Sequence, residues 1–416
     1  MKLWDYLKSK MSLYKERVAF ANLGLTYAEI LNFDNYYNQR KKLRICASKI
    51  REIHALNIIK AIAEGDVVVP ISLEYGAKNY DYIKEQIKDA NDIDDLAFIM
   101  FTSGTTGYPK GVMLTEQNII SNLEWINEYF NTSECKSICI GRPLAHIAVL
   151  TGELLYALCH GLTIYFYEES FMPNRLISFL DKYHIDIFCG TPTLFYAMAK
   201  LKKHNDLGLK IGVISGEVLS ARVSKAISES FNKTEFYNVY GLTEHSPRVA
   251  ALLPCDFNRK LNSVGKPIGD VMVKIINNEL LVKSTSVMKG YFKDLKGTKE
   301  RIIDGWLYTG DSASMDDDGY IYIHGRKDNM IIKSGLNIYP EEIELVVKEC
   351  TEVEECVVFG KQTEISSIIC LKYVGTIEPN DLRSLLNQKL NPIIVPTRIQ
   401  KVDTIAKTAS GKKIRK

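Results

Sequence analysis

The chain has 416 residues, of which 46% are hydrophobic and 25% are charged, values typical of a globular enzyme whose core needs no disulfides. At ~100–200 residues per domain, this length predicts about two to four domains or subdomains. A formal net charge of +3, from 53 basic and 50 acidic residues, argues against a dedicated nucleic-acid-binding protein.

The N-terminal residues and the cysteines bear on the compartment. Residues 1–10 (MKLWDYLKSK) are not followed by an apolar segment of the secretory type. No window approaches the ~20 apolar residues that a membrane helix needs. The nine cysteines are scattered and form no C-x-x-C pair, which disfavours a zinc site or a disulfide framework. We therefore expect a cytoplasmic protein without a membrane span.

Helical and strand patterns alternate in the first half of the chain. Residues 45–71 are predicted to form a helix that ends at Gly65, followed by a β-branched strand from Val67. A surface helix is predicted at 76–88, and the apolar run at 96–101 (LAFIMF) predicts a buried, parallel strand. Further strands, separated by helical segments, are predicted at 162–167, 185–189 and 211–215. This alternation favours an α/β fold with mixed or parallel sheets.

Near residue 264 the pattern changes to short strands and turns. Strands are predicted at 271–276, 279–283 and 320–325, the last after a hairpin turn at 316–319 (DDDG). Beyond Arg326 the chain has a compact α+β pattern that contains two helices and two strands. We therefore expect an N-terminal domain of residues 1–326 and a C-terminal domain of residues 327–416.

A loop rich in glycine and hydroxyl groups follows the predicted strand at 96–101. Residues 102–111 (TSGTTGYPKG) contain three glycines, which allow backbone N–H groups to approach an anion closely. The loop matches neither the Walker A pattern nor the dinucleotide fingerprint. Its position after a buried strand, where α/β sheets place ligands, predicts phosphate binding. The expected contacts are Thr102, Ser103, Gly104, Thr105, Thr106, Gly107 and Lys110.

Four further motifs follow this loop along the chain. They lie at 240–244 (YGLTE), 304–311 (DGWLYTGD), 325–344 and 408–415 (TASGKKIR). Together with the loop they resemble the motifs of the adenylate-forming superfamily, which includes acyl-CoA synthetases, aryl-acid ligases, luciferases and nonribosomal peptide synthetase adenylation domains. The resemblance implies a large multi-subdomain N-terminal body with mixed and parallel sheets and a distorted β-barrel, followed by a small, mobile α+β domain.

The resemblance also implies a reaction, in which a carboxylate attacks the α-phosphate of ATP to give an acyl-adenylate and pyrophosphate. Because both reactants are anions, the site needs cations and aligned N–H donors more than an acid or a base. The implied catalytic residues are Thr243 beside the α-phosphate, Glu244 as a ligand of Mg²⁺, and Lys412 on the terminal loop. The adjacent Lys413 is expected to be solvated.

Other motif residues are implied to bind the nucleoside. Tyr240 would stack on adenine and is followed by Gly241 in the same segment. Asp311 would accept hydrogen bonds from the two ribose hydroxyls, and Arg326 would add a donor there. Asp328, two residues further on, is implied to be the hinge about which the small domain moves between adenylation and thioester formation.

Residues 215–217 (SGE) follow a predicted strand and resemble a segment that lines the adenine and acyl pockets. A plain strand-to-helix turn is the alternative interpretation. This segment implies ATP contacts for Gly216 and Glu217. The residues implied for the acid pocket are His146, Cys189, Gly190 and Ser215.

His146 ends a segment at 142–146 (RPLAH) that resembles the border of the acyl pocket in acyl- and aryl-acid ligases, with a structural role as the alternative. The region lacks the aspartate with which peptide synthetase domains hold an α-ammonium group, which disfavours an α-amino acid substrate. Gly335 would line a tunnel for a pantetheine thiol, and Ser334 stands where the family frequently has glycine. The N-terminal region before the glycine-rich loop is short, so part of the first subdomain is expected to be trimmed.

The leading hypothesis is an acid–CoA ligase that uses ATP and Mg²⁺ to activate a small carboxylic acid. Two alternatives keep the adenylation step: loading of the phosphopantetheine arm of an acyl carrier protein, and formation of an amide with an amine. A fourth, from another class, is a nucleotide-binding pseudoenzyme. Intact Glu244, Asp311, Arg326 and Lys412 argue against the pseudoenzyme. The acceptor, the acid and the oligomeric state remain open at this point.

Overall fold

A computed structural model describes residues 1–33, 41–73, 78–88, 93–102, 109–169, 172–201, 207–333, 336–362, 367–407 and 413–415. Its helices are α1 Leu3–Met11, α2 Tyr27–Leu31, α3 Arg51–Ala63, α4 Lys78–Gln86, α5 Glu116–Tyr129, α6 Ile147–Val149, α7 Tyr156–Cys159, α8 Pro173–Lys182, α9 Pro192–Ala199, α10 Ala221–Ser230, α11 Leu295–Arg301, α12 Pro340–Val347 and α13 Pro379–Lys389. A π-helical turn, Leu150–Leu155, joins α6 to α7.

The strands up to the middle of the chain are β1 Val18–Phe20, β2 Leu25–Thr26, β3 Leu43–Ser48, β4 Val67–Ser72, β5 Leu96–Thr102, β6 Lys110–Thr115, β7 Ser137–Ile140, β8 Thr163–Phe166, β9 Ile187–Gly190, β10 Ile211–Ile214, β11 Glu235–Gly241 and β12 Arg248–Leu252. Those that follow are β13 Ser263–Pro267, β14 Met272–Ile276, β15 Glu279–Lys283, β16 Gly290–Tyr291, β17 Ile302–Ile303, β18 Trp306–Met315, β19 Ile321–Arg326, β20 Ile331–Lys333, β21 Leu336–Ile338, β22 Val353–Gln362, β23 Ser367–Gly375 and β24 Arg398–Lys401.

The larger sheet contains 14 of the described strands, in the order β14-β15-β18-β19-β13-β12-β11-β10-β9-β7-β8-β1-β2, with β17 paired to β18. Strands β8, β7, β9, β10 and β11 are parallel, and β12 runs antiparallel to β11. The carboxyl ends of parallel strands meet at one edge of a sheet. The residues that end β9, β10 and β11 therefore lie along one edge, and the region expected to contain the distorted barrel is an antiparallel continuation of this sheet.

The second sheet has the order β16-β6-β5-β4-β3. Its strand β5 is the apolar run predicted to be a buried strand, and residues 96–100 are indeed buried. It runs parallel to β4 but antiparallel to β6, so the glycine-rich loop connects two hairpin strands in which Thr102 pairs with Lys110. Strand β16 adds Tyr291 beside Val112 of β6.

The prediction for residues 45–71 was correct for α3 and β4 and wrong at its start, where β3 occupies Leu43–Ser48. Among the described strands β3 pairs only with β4, so it is an edge strand. Most of its residues are partly exposed, and Arg44 reaches Glu64 and Asp66 on the neighbouring segment. An edge strand with charged and small residues lacks the continuous apolar run by which a buried strand is detected.

Residues beyond Lys327 build a core of their own. Helices α12 and α13 pack on the β22–β23–β24 sheet, and the buried side chains are contributed by residues 331–395. Tyr373 is the largest fully buried side chain of this group. Helix α12 also contacts β19 of the large sheet. Within the described ranges, none of the helices combines the length and apolarity that crossing a membrane would require.

Candidate functional site

The predicted phosphate-binding end of the site lies where β5, β6 and β16 meet. Lys110 Nζ lies 3.3 Å from Asp294 Oδ2 and 5.1 Å from the ring centroid of Tyr291. Asp294 also accepts the Gly297 N–H at the start of α11, and this bond lowers the pKa of its carboxyl. Lys110 thus lies between an anion and an aromatic face. The predicted contacts Ser103, Gly104, Thr105, Thr106 and Gly107 lie outside the described residues.

Tyr291 connects this lysine to the carboxylate that was predicted to bind the metal. Its hydroxyl donates to Glu244 Oε1 at 2.8 Å. Burial, reinforced by the charge of Glu244, raises the pKa of the Tyr291 phenol, so the group remains a hydrogen-bond donor. Glu244 lies with Thr243 in a short 3₁₀ helix, and its carbonyl accepts the Met288 N–H at 2.9 Å. Sequence reasoning gave Tyr291 no role, because the signal is a single aromatic residue after a turn.

The predicted ribose-binding residues form one cluster. Asp311 and Arg326 are cross-strand partners on β18 and β19, and Arg326 Nη1 lies 3.2 Å from Asp311 Oδ1. The Tyr240 hydroxyl donates to the other carboxylate oxygen, Oδ2. Burial raises the pKa of Asp311, whereas the charge of Arg326 opposes that shift. The structure therefore places Tyr240 against Asp311, in addition to the adenine contact that the resemblance implies.

Strand-to-helix turns position the residues at the neighbouring strand ends. Gly216 has φ +90°, a conformation that side-chain-bearing residues rarely adopt, so the turn after β10 favours glycine. Glu217 Oε2 accepts the Thr193 hydroxyl at 2.5 Å, which links this turn to α9. Thr191, directly after Gly190, is the N-cap of α9, and its Oγ1 accepts the Leu194 N–H. The segments at 190–191 and 215–217 are thereby fixed side by side.

The four predicted acid-pocket residues divide into two groups. Cys189 and Ser215 are buried at the ends of neighbouring strands, and Gly190 lies close to the Phe195 ring. His146 is exposed, and its Nδ1 accepts the Ala148 N–H at 3.3 Å, so it caps α6. The predicted contact of His146 with the acid remains a prediction.

Three charged residues that sequence reasoning passed over lie beside the buried group. Arg142 Nη1 donates to Ser215 Oγ at 3.0 Å, and Arg142 Nη2 lies 2.6 Å from Glu153 Oε1. Burial raises the pKa of the Cys189 thiol to a value above its ordinary range, and Glu153 adds to this shift while Arg142 and Arg248 oppose it. Arg142 stands in the RPLAH segment, which was the one signal that could have identified it.

The small domain meets the body near the predicted hinge. Arg326 Nη2 lies 3.5 Å from Asp328 Oδ2, and Asn329 Nδ2 donates to Glu341 Oε1 of α12 at 3.1 Å. The tail is held on the same domain, because Arg415 Nη2 lies 2.8 Å from Glu341. The expectation that Lys413 is solvated was wrong: it is partly buried and its Nζ donates to the Cys356 carbonyl at 2.7 Å. The predicted residues Lys412 and Gly335 lie outside the described residues.

Two family models match the chain. The AMP-binding enzyme model covers residues 36–292, and the AMP-binding enzyme C-terminal domain model covers residues 342–412. The chain belongs to the AMP-binding enzyme family. The relatives of this AMP-binding enzyme include the long-chain-fatty-acid–CoA ligase of Haemophilus influenzae, 33% identical over 346 residues. That match covers 78% of this chain and 61% of the relative.

A second relative, the long-chain-fatty-acid–CoA ligase of Salmonella typhimurium, is 31% identical over 363 residues, which are 82% of this chain and 64% of that protein. The AMP-binding enzyme described here thus spans a little under two thirds of the length of these relatives. Among solved structures, the Bacillus subtilis O-succinylbenzoate coenzyme A synthetase in complex with AMP matches with a TM-score of 0.86 at 21% identity. It covers 99% of this chain and 97% of its own, and at this identity the likeness shows the fold.

Proposed function

We propose that this protein is an AMP-forming acid–thiol ligase that activates a carboxylic acid with ATP and passes the acyl group to CoA. The observation that carries the proposal is the Tyr240–Asp311–Arg326 cluster, which brings three separate sequence motifs to one place. Its carboxylate and guanidinium are suited to the hydroxyls of a ribose. The naming of the curated relatives as CoA ligases supports CoA as the acceptor.

The residues present fit a magnesium ion at the phosphate end. Glu244 is partly exposed and offers a carboxylate, the hard oxygen ligand that Mg²⁺ combines with phosphates and water. Bound there, the ion would neutralise charge on the phosphates of ATP. Tyr291 orients the Glu244 carboxylate, and Lys110 adds a positive charge close by. We assign Thr243 to the α-phosphate, on the strength of its place in the YGLTE motif.

In this proposal the chain supplies binding and charge rather than an acid or a base. Lys110 and the backbone of the glycine-rich loop hold the β- and γ-phosphates, and Lys412 approaches the attacking carboxylate and the α-phosphate. The small domain then turns at Asp328 to open a path for the thiol, which Gly335 would line. The separate core beyond Lys327 supports the proposed division into residues 1–326 and 327–416.

A pyrophosphate-release assay over a panel of carboxylic acids, run with and without CoA, tests the function. We expect pyrophosphate and AMP to depend on an acid, and turnover to rise on addition of CoA with formation of an acyl-CoA. Adenylation without CoA-dependent turnover would favour a carrier-protein acceptor instead. An amide formed with an added amine and no thiol would favour the amide-forming alternative. If no acid supported ATP–pyrophosphate exchange, the proposal that this protein is an adenylate-forming enzyme would be refuted.

The proposed catalytic lysine, Lys412, has a matched control in the adjacent Lys413. We expect Lys412→Ala to slow adenylate formation by about 100-fold or more, the size of effect seen when one transition-state charge contact is lost. Transfer from preformed adenylate to CoA should stay nearly unchanged. Lys413→Ala should spare both half-reactions, because Lys413 Nζ is engaged with the Cys356 carbonyl. Equal losses in the two half-reactions of Lys412→Ala would contradict its role.

The nine cysteines are free, eight of them buried, which supports a reducing compartment, and we propose the cytoplasm.

A further inference from the structure

Three charged residues from separate segments, two of them buried and Arg142 mostly buried, meet beside the proposed acid pocket. Arg142 follows β7, Glu153 lies in the π-helical turn, and Arg248 begins β12. Arg142 and Glu153 form an ion pair at 2.6 Å. Glu153 is fully buried, and Arg248 is 3% exposed. We call Arg142, Glu153 and Arg248 the buried charge cluster.

The cluster adjoins the residues assigned to the nucleotide and the acid. Arg142 Nη1 donates to the Ser215 hydroxyl at 3.0 Å. Arg248 pairs in register with Gly241 of the YGLTE motif, and a Cβ built on Gly241 would lie 3.3 Å from the Arg248 Cα. All three charges of the cluster also act on the Cys189 thiol at the end of β9. The cluster therefore lies at the edge of the sheet where the acid is expected.

A glycine in the π-helical turn makes room for Arg248. A Cβ at Gly152 would lie 2.8 Å from Arg248 Nη2, closer than real side-chain contacts allow. The arginine therefore packs directly on the backbone of the turn that carries Glu153. Single π-helical turns are frequent at functional sites. Here the turn places a carboxylate and an arginine-sized space next to each other.

The cluster carries an excess of positive charge. Burial raises the pKa of Glu153 and the charge of Arg142 opposes that shift, yet either protonation state of Glu153 leaves the three residues with a net positive charge. Among the described residues, no carboxylate oxygen lies within the 4.0 Å ion-pair distance of the Arg248 guanidinium. The positive charge of Arg248 is thus buried with no carboxylate in ion-pair contact, an arrangement that proteins rarely leave uncompensated.

Hydrogen-bonding capacity is left over at the same place. Four buried polar atoms of this region have no hydrogen-bond partner within the described part of the chain: Arg142 Nε, Arg248 Nε, Thr151 Oγ1 and Glu153 Oε2. Buried polar groups are nearly always hydrogen-bonded, so four unpartnered polar atoms in one place point to a bound group. Two of the four are guanidinium N–H donors, which suit a carboxylate because of their planar geometry.

We propose that Arg248, supported by Arg142, binds a second carboxylate of the acid substrate, so that the enzyme prefers dicarboxylic acids to acids with an apolar tail. This inference rests on the proposed function. An alkyl tail that reached the cluster would leave the charge of Arg248 unpaired, whereas a carboxylate neutralises it and accepts the orphan N–H groups. Arg248 is accordingly a specificity-determining residue, and the chemistry at the reacting carboxylate is unchanged.

The wild-type enzyme tests the inference with pairs of acids. Each α,ω-dicarboxylic acid is compared with the monocarboxylic acid of the same carbon number, and pyrophosphate release gives kcat/KM for both. We expect the best diacid to exceed its monoacid partner by about 30-fold or more, the scale of a desolvated charge pair. Preference for the monoacids throughout would overturn the inference and leave the proposed function standing. Inactivity with every acid would overturn both.

Arg248→Met, which removes the charge and keeps much of the volume, should lower kcat/KM for the diacid by about 30-fold or more and spare the monoacid. Arg248→Lys should restore part of the diacid preference. Arg51→Met is the matched control, because Arg51 is also buried but contacts the Tyr167 carbonyl and Glu168, away from the cluster. Circular dichroism melts report folding. Equal losses for diacid and monoacid in both Arg248 variants would overturn the inference; should neither variant fold, the wild-type acid pairs decide it.

Discussion

The proposed nucleotide end and the proposed acid end of the site each contain a buried carboxylate, and the hydrogen bonds of the two carboxylates differ. Both oxygens of Asp311 are engaged, one by the Tyr240 hydroxyl and the other by Arg326. Glu153 is engaged at Oε1 by Arg142, while its Oε2 has no partner among the described residues. The nucleotide end is therefore organised before any ligand binds, whereas the acid end retains unused hydrogen-bonding capacity.

The two carboxylates also differ in how much of their partners is exposed. The Arg326 side chain is 39% exposed, so water can solvate its charge if Asp311 is lost. The Arg142 side chain is 14% exposed and depends on Glu153. This difference predicts that the same kind of substitution affects ligand binding at one end and folding at the other.

Removal of the two carboxylates is the strongest test of that comparison. We expect Glu153→Ala to lower the free energy of unfolding by about 3–5 kcal/mol, because it leaves the Arg142 charge buried without an anion. Asp311→Ala should lower it by about 1 kcal/mol, since Arg326 is partly solvated. Urea unfolding gives both values. For the KM of ATP we expect the reverse order, with the larger increase in Asp311→Ala. Similar losses of stability in the two variants would contradict the comparison.

The distribution of these residues along the chain explains what could be predicted from the sequence. Tyr240, Glu244, Asp311 and Arg326 stand in contiguous motifs, where spacing and residue type together indicate a nucleotide site. The fold class and the apolar strand β5 could likewise be predicted, because the spacing of apolar residues along the chain is a local property. The family models and the structure confirm the fold and the family.

The residues of the proposed acid end could not be predicted from contiguous motifs. Arg142, Glu153 and Arg248 come from three segments that the strand order β12-β11-β10-β9-β7 of the large sheet brings together. An isolated arginine or glutamate in a sequence is ordinarily a surface residue. Glu153 is the single charged residue of the apolar segment at 147–159, but it belongs to no motif, so its partners could be identified only from the tertiary structure. The same error arose at Lys413, where a tail lysine was expected to be solvated and is partly buried.

A comparison of the two ends at acidic pH needs a background correction for the buried histidines, of which His54 is the first. His54 in α3 is buried with Nε2 2.9 Å from the Cys46 carbonyl, and burial lowers its pKa to about 4. Its pKa in the unfolded chain is about 6.5, so as the pH falls the unfolded state binds the proton first. The contribution of neutral His54 is complete above about pH 6.5 and is lost between there and about pH 4.

We expect this histidine alone to lower the free energy of unfolding by about 2 kcal/mol between pH 7 and pH 5. Urea unfolding at the two pH values measures the loss, and His54→Gln should remove that share of it. An unchanged pH dependence in His54→Gln would show that His54 is protonated equally in the two states. Burial lowers the pKa of His245 to about 4 as well, so its share is subtracted too before the pH dependence of the Asp311 and Glu153 variants is compared.

The smallest expected effect tests how far the organisation of the nucleotide end depends on Tyr291. Tyr291→Phe removes the hydroxyl that donates to Glu244 at 2.8 Å but keeps the ring beside Lys110. We expect a loss of about 1 kcal/mol, or about fivefold in kcat/KM for ATP, with a higher Mg²⁺ requirement. Tyr320→Phe is the matched control, because it removes a hydroxyl that donates to Asp256, also at 2.8 Å. If both variants lost activity alike, Tyr291 would act through folding, and the backbone contacts of Glu244 would orient the carboxylate that we propose binds the metal.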